Sequence, residues 1–537
     1  MKLFLNPFFN KSSKYISNIF TLRMQLITVI LLISCFSISN AQYQNIKVGG
    51  SSLSPPEEPS IVMDPLNTDH LLVGSNVNHY YYSINGGYNW NQGTISSSHG
   101  IVGDPCVLVD TTGNYYYIHL VPGLSKVVCQ KTTSLGASWS DGSYTGVDGT
   151  KENDKEYAVI DRKNNYIYVA WAQFDQHGSA NPQDSSEIEL SRSTDGGLSF
   201  SAPIKISNRK GNAQAGNGSC HCPMPAVGPN NDVYVTWMSP YGLMVDISHN
   251  NGLIWLNTDI NVTPSRVSWL TFNIPGVQRS PGFPIINCDL STSPYHGNIY
   301  ICWADQRNAS YDTEIWMAKS TDGGYTWSSR IKVNDDQSAK HQFFPWMTID
   351  QTNGYIYVVF YDRRNYTDSK TDVYMAVSKD GGQTFVNTKI SETPFTPLQT
   401  DFIGDYINIA AHNNIVRPVW TRADNGNISL WTAIINTPVS VDEKSPNIKP
   451  EDFEITSVYP NPFNPSTTIY YKLNKGGHVE LKVFDMLGQD VITLLDLSQI
   501  SGEHKIIWDA KNMASGPYIV QLQFGNLKKS QKIILLK

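Results

Sequence analysis

Arginine is missing from a long stretch of this chain, with none between Arg23 and Arg162. Charge is sparse throughout: Asp, Glu, Lys and Arg make up 16% of 537 residues, and the balance is acidic at −7. With no basic patch, nucleic acid is excluded as a partner. Long apolar runs are also lacking. The one near the start, Leu26–Phe36, is too short to span a bilayer, so no transmembrane segment is expected in the mature chain. Cysteine is scarce, with seven in all, and a chain of this length buries enough core to need no disulfide framework. Cys106, Cys129, Cys220, Cys222, Cys288 and Cys302 read as core thiols or bridges, with pairing open. Cys220-His221-Cys222 has no second cluster at zinc-ligand spacing, so no metal is expected from it.

The N-terminus reads as an export signal. Lys2, Lys11, Lys14 and Arg23 precede the apolar run, and Ser39-Asn-Ala41 offers a small-residue cleavage site before Gln42. Residues 1–41 are therefore taken as a signal peptide. Leu32-Ile-Ser-Cys35 gives the alternative of a lipoprotein signal with Cys35 lipidated. Cleavage after Ala41 leaves 36 Lys and Arg against 47 Asp and Glu, a charge of −11.

What the chain has in abundance is one turn, repeated. Ser83–Trp90, Thr132–Trp139, Ser193–Phe200, Ser248–Trp255, Ser320–Trp327 and Ser378–Phe385 share Ser/Thr first, Asp/Asn/Ser third, Gly fifth and Trp/Phe eighth. The glycine supplies φ > 0, the hydroxyl and the Asx side chain bond turn amides, and the aromatic re-enters a strand. Alternating residues before each turn, as in Trp316–Ser320, mark strands. Each turn is expected to join two antiparallel strands.

This pattern resembles the Asp-box, or bacterial neuraminidase repeat, of sialidase-like β-propellers. The resemblance implies a propeller with the boxes on its periphery, remote from catalysis. Asn85, Gly87, Trp90, Asp195, Gly197, Asp322, Gly324, Trp327, Asp380 and Gly382 are then structural. A repeated strand opening precedes the boxes: Pro59–Asp64, Pro105–Asp110, Glu156–Asp161, Pro225–Asn230, Pro284–Asp289 and Pro345–Asp350, with Tyr406–Ala411 a looser seventh. Most are followed by a β-rich strand such as Val233–Trp237. Four strands per unit make a blade. The fold expected over residues 42–436 is an all-β, seven-bladed propeller, with six blades as the alternative; Tyr43–Val48 is placed as the fourth strand of the last blade.

Residues 437–454, rich in proline and acidic residues, read as a linker. Residues 455–537 carry short strands and read as a small immunoglobulin-like β-sandwich. The Tyr459-Pro-Asn-Pro-Phe-Asn-Pro465 opening, Phe484–Gln489 and Ala514–Ile519 resemble the type IX secretion C-terminal sorting domain. That implies the type IX machinery as a partner and a protein secreted or held at the outer cell surface.

Propeller ligands bind at the central mouth. The residues just before the openings are Glu58, Asp104, Lys155, Met224, Phe283, Phe344 and Asp405. If the ring closes, Asp405, Glu58, Asp104, Lys155 and Glu156 form a polar arc facing an apolar one. Asp104, Glu156, Asp405 and Glu58 are the candidate catalytic carboxylates; Lys155, Met224, Phe283, Phe344 and Tyr406 are candidate ligand contacts. Carboxylates bond sugar hydroxyls and aromatics stack on sugar rings; paired carboxylates also serve glycoside hydrolysis or hold Ca²⁺. No cofactor is certain, and Ca²⁺ is the metal such a set would suit. The sialidase resemblance implies three arginines and an F/Y-R-I-P motif before the first box. Ser54–Pro59 stands there instead. Arg307, Arg364 and Arg422 recur with the blade, near Asp312, Asp372 and Asp424, and read as structural ion pairs. Loops at Gln173–Glu187, Asn208–Pro223 and Thr263–Pro281 bring His221, Arg266, Trp269 and Arg279, all read as packing or surface residues. The expectation is a secreted, sialidase-like propeller that acts on or binds extracellular glycans. The alternative is a non-catalytic propeller binding protein or matrix partners as an adhesion scaffold. Whether it is an enzyme stays open at this point.

Overall fold

A computed structural model describes residues 43–50, 55–214, 216, 218–263, 272–309, 311–424, 426–437, 453–474, 477–499, 501–524 and 527–537. The signal peptide, most of the linker, Arg266 and Trp269 lie outside them. The chain divides into two compact units, Met1–Thr437 and Pro438–Lys537.

The first unit is built from antiparallel sheets of one plan. Sheet 1 runs Ser60–Met63, Leu71–Ser75, His79–Ser83, Asn91–Thr94. Sheets 2 to 6 repeat this order of four strands, beginning at Gly103–Val109, Glu152–Asp161, His221–Val227, Ile285–Cys288 and Gln342–Asp350. Sheet 7 takes Asn408–His412, Ile415–Asp424 and Asn427–Ala433 from the end of the unit and Asn45–Gly49 from its beginning. The N-terminal segment thus pairs where the sequence placed it.

Each repeated turn links the third strand of a sheet to its fourth strand, and its chemistry is as read from the residues. The Ser/Thr hydroxyl accepts from the glycine amide in all six turns, from 2.9 Å at Gly87, Gly197, Gly324 and Gly382 to 3.3 Å at Gly136. In five turns the Asx side chain accepts from an amide four residues on, for example Thr326 N at 3.0 Å. Trp90, Trp255 and Trp327 return their indole N–H to the glycine carbonyl. All six glycines have φ between 73° and 95°, a region that costs other residues energy.

The first strands pack side by side around a circle. Each first strand touches the next from sheet 1 through sheet 7, and that of sheet 7 touches that of sheet 1 again. Side chains cross the middle: Asn408 donates to Tyr157 Oη at 3.2 Å, from sheet 7 to sheet 3. At the C-terminal ends of the first strands a cavity of about 410 Å³ is lined by residues of all seven, among them Met63, Val109, Val227, Cys288, Ile349 and Ala411. Its walls are mostly aliphatic.

All six cysteines of the described residues are buried and free, which settles them as core thiols. Burial pushes the thiols up, Cys106 to about 12, so they sit protonated.

In the second unit, a three-stranded sheet (Phe453–Tyr459, Ser466–Leu473, Gly502–Asp509) and a four-stranded sheet (Asp490–Gln499, Gly477–Phe484, Gly516–Phe524, Leu527–Leu535) enclose a core that includes Phe453, Trp508, Val483 and Leu522. Its first strand begins inside the segment read as linker, because Phe453 and Ile455 supply apolar surface to that core.

Candidate functional site

The site is set by a backbone irregularity at the start of the first strands. The ladder slips between Gly103 and Cys106, Asp154 and Tyr157, His221 and Met224, and Phe343 and Trp346. One residue in each slip is left-handed: Asp104 (φ 57°), Lys155 (48°), Cys222 (54°) and Phe344 (53°). Glu58 (53°) holds the same relation to sheet 1. Proline follows four of the five and cannot donate to the ladder, so pairing breaks there. Such a bulge re-aims its side chain.

In sheet 4 the bulge residue is Cys222, not Met224. Two X-Pro steps follow one another there, and the register falls on the first; Met224 lies opposite Thr236 in the regular ladder. The sheet 7 first strand begins after Asp405, with the left-handed residue at Gly404 (φ 85°).

The polar arc assembles around one ammonium. Lys155 Nζ lies 3.0 Å from Glu58 Oε1, 2.8 Å from Asp104 Oδ2 and 2.9 Å from Asp405 Oδ2. Arg279 binds Asp405 in two-pronged fashion, its Nη2 at 2.5 Å from Oδ2. Asn76 Nδ2 donates to Glu58 Oε2 at 2.5 Å and its Oδ1 accepts from the Asp104 amide at 2.8 Å. Glu58, Lys155 and Asp405 are buried, with Asp405's side chain fully covered.

Burial opposes the charge on Lys155, but Asp104, Asp405 and Glu58 hold its pKa well above the ordinary lysine value. Burial would raise Asp405; Lys155 and Arg279 outweigh it and hold the carboxyl near 2. Glu58 goes the other way, raised well above the usual range by burial and then by Asp104. Glu156 is buried, neither of its oxygens has a hydrogen-bond partner among the described residues, and burial followed by Asp104 raises it strongly. Burial thus favours its neutral form.

The apolar arc is core rather than contact surface. Phe283, Phe344, Met224 and Tyr406 are each under 5% exposed. Phe344 packs on Phe343 and Tyr361; Tyr406 meets Phe283, Trp346 and Tyr157. These aromatics pack against one another and leave no face open for a sugar ring.

What opens to solvent is a smaller cavity of about 280 Å³, lined by Asp104, Asp154, Lys155, His177, Arg279 and Phe402 among others. At one side a second cluster stands. Asp154 Oδ2 is 2.9 Å from His221 Nε2 and 3.2 Å from His177 Nε2. Burial would raise Asp154, but the imidazoles of His177 and His221 beside it hold it well below the usual range. The adjacent Asp154 carboxylate raises His177, while burial lowers His221. Neither Asp154 nor His177 was picked out from the sequence, and His221 and Arg279 were read as packing or surface residues. All are brought in by loops or by a bulge, and only Lys155's neighbour position could have pointed to Asp154.

Arg364 and Arg422 act structurally. Arg364 binds Asp362 and Asp335, not Asp372, and Arg422 clasps Asp424 and the carbonyls of Thr393 and Pro394. Neither lines the cavity.

Comparisons with known proteins add the following. A family described as "Secretion system C-terminal sorting domain" matches residues 457–536. The chain is therefore secreted or attached to the cell surface. No curated protein sequence matches. Among solved structures, a polysaccharide lyase described as an ulvan lyase aligns at 11% identity over 73% of this chain and 96% of its own, with a TM-score of 0.46. A Hadza microbial sialidase aligns at 13% over 68% and 73%, TM-score 0.39. An α-L-arabinofuranosidase from Fusarium graminearum aligns at 10% over 73% and 98%, TM-score 0.41. These likenesses are distant.

Proposed function

We propose that the first unit is a seven-bladed, Asp-box propeller of sialidase-like architecture that recognises extracellular glycans at the mouth where its first strands begin. The observation that carries this is the cavity bounded by Asp104, Asp154, His177 and Arg279 over the buried Lys155 cluster. It places two carboxylates, an imidazole and a guanidinium around one opening, which are donors and acceptors in the mixture that sugar hydroxyls require. Secretion through the C-terminal sorting domain delivers the opening to where glycans are. An exo-sialidase reading gains no support, since Arg279 is the one arginine among the described residues at this cavity and it is engaged by Asp405.

A second reading, hydrolysis, is favoured by Asp104 and Asp154 both facing the cavity. Calorimetric titration of the secreted chain with a panel of oligosaccharides separates the readings. Saturable binding weakened about tenfold or more by Asp104→Asn, roughly 1.4 kcal/mol, with the circular dichroism spectrum of the folded chain retained, is the expected result. Release of new reducing ends, lost in the same variant, selects hydrolysis. Absence of both binding and turnover across the panel overturns the proposal.

A further inference from the structure

Asp154, His177 and His221 converge from different parts of the chain. Asp154 sits at the bulge of the sheet 3 first strand, His177 follows that sheet's second strand, and His221 opens sheet 4. Their ligand atoms all lie within 4.8 Å of one another. Both imidazoles turn the same nitrogen, Nε2, toward the same carboxylate oxygen, at 2.9 and 3.2 Å.

A cation held at about 2.0–2.1 Å in tetrahedral geometry separates its ligand atoms by roughly 3.3 Å. The observed spacings need only a small relaxation to admit one. The rings are already braced. Phe174 meets His177 edge-on at 4.8 Å between centroids and His221 at 5.2 Å. The His177 amide donates to Glu152 Oε2 at 2.6 Å, which fixes the loop that carries the ring. Packing and backbone contacts of this kind hold the two rings in place.

We propose that Asp154, His177 and His221 form a binding site for a divalent first-row transition cation, with zinc its expected occupant. Two imidazoles and one carboxylate are borderline donors, which suit zinc and its neighbours and not the all-oxygen shells of Ca²⁺ or Mg²⁺. Three protein ligands leave a coordination position free. Asp154 and His177 both line the cavity of the mouth, so that position opens onto it. The nearby thiols are not among the converging groups: Cys220 Sγ is turned to the Arg209 carbonyl at 3.5 Å, and the cluster consists of Asp154, His177 and His221. The site shares Asp154 and His177 with the mouth, but zinc uptake is measured without a glycan, so its failure is distinguishable from failure of the glycan reading.

The test uses the secreted full-length chain, stripped with a chelator and then offered ZnCl₂. Elemental analysis after dialysis is expected to find about one zinc per chain. Cobalt(II) in place of zinc is expected to give the visible absorption of a low-coordinate cobalt site. His177→Ala, on a partly exposed side chain, and Asp154→Asn are each expected to cut metal content at least tenfold and to abolish the cobalt spectrum, with the circular dichroism spectrum of the chain unchanged. His221 is buried and its loss risks the fold, so the test does not depend on it. Folded wild-type chain that takes up no zinc, zinc retained equally by both variants, or selective uptake of Ca²⁺ would each overturn the proposal.

Discussion

Lys155→Met is expected to destabilise the first unit by about 3–5 kcal/mol, the range for removing one partner from a buried ion cluster. Methionine matches the stem of lysine closely, so the loss isolates the charge. Three carboxylates, those of Glu58, Asp104 and Asp405, meet this single ammonium within 3.0 Å. Without it Arg279 alone faces them, and it reaches Asp405 closely but Glu58 only at 3.9 Å. Urea unfolding followed by tryptophan fluorescence measures the change. The pH dependence should alter as well. Asp405, held near 2 in the folded chain, stabilises it above the ordinary carboxylate range, and this contribution fades as pH falls toward 2. In Lys155→Met that acid limb should flatten. Unchanged stability would mean that the cluster is loose and solvated.

Starting the chain at Pro55, which removes Asn45–Gly49, should destabilise the first unit by at least about 4 kcal/mol, since each lost ladder or side-chain bond is worth about 0.5–1.5 kcal/mol and the burial of Val48 about 1.5–3 kcal/mol. That strand pairs with Leu430–Ala433 and closes sheet 7. It is also pinned to the neighbouring sheet: Asn45 donates from Nδ2 to the Ile390 carbonyl at 2.8 Å and accepts the Glu392 amide at 2.8 Å. Removal bares an open strand edge at Asn427–Ala433, and such edges self-associate. Size-exclusion chromatography of the shortened chain should show oligomers beside a lowered unfolding midpoint. A monomer of unchanged stability would contradict the role given to this strand.

The parts of the architecture written in local chemistry were legible in the residues. The six turns were readable because glycine, hydroxyl and Asx side chain act within eight positions. The polar arc was readable because each bulge residue precedes a proline or an apolar run, so equivalent positions can be lined up by eye. The same rule misplaced the sheet 4 position by taking Pro225 for Pro223, since nothing local separates two consecutive X-Pro steps. The arc's state was not legible. That Phe283, Phe344 and Tyr406 pack against other aromatics instead of facing a ligand depends on how seven first strands close on one another. Arg279 and His177 arrive on loops whose paths no periodicity records: Arg279 meets Asp405, 126 residues on, and His177 turns back to Asp154 on the first strand of its own sheet. Long-range pairing of this kind has no signature along the chain.

Segments distant in sequence meet at one charged centre, and a double-mutant cycle between Lys155 and Asp405 tests that meeting most directly. Lys155→Met, Asp405→Asn and the double variant are compared by urea unfolding. A coupling of about 1.5–3 kcal/mol is predicted, because the two groups touch in a fully buried setting. Effects that add to within about 0.5 kcal/mol would show that sheets 3 and 7 do not meet there, and the mouth would have no basis.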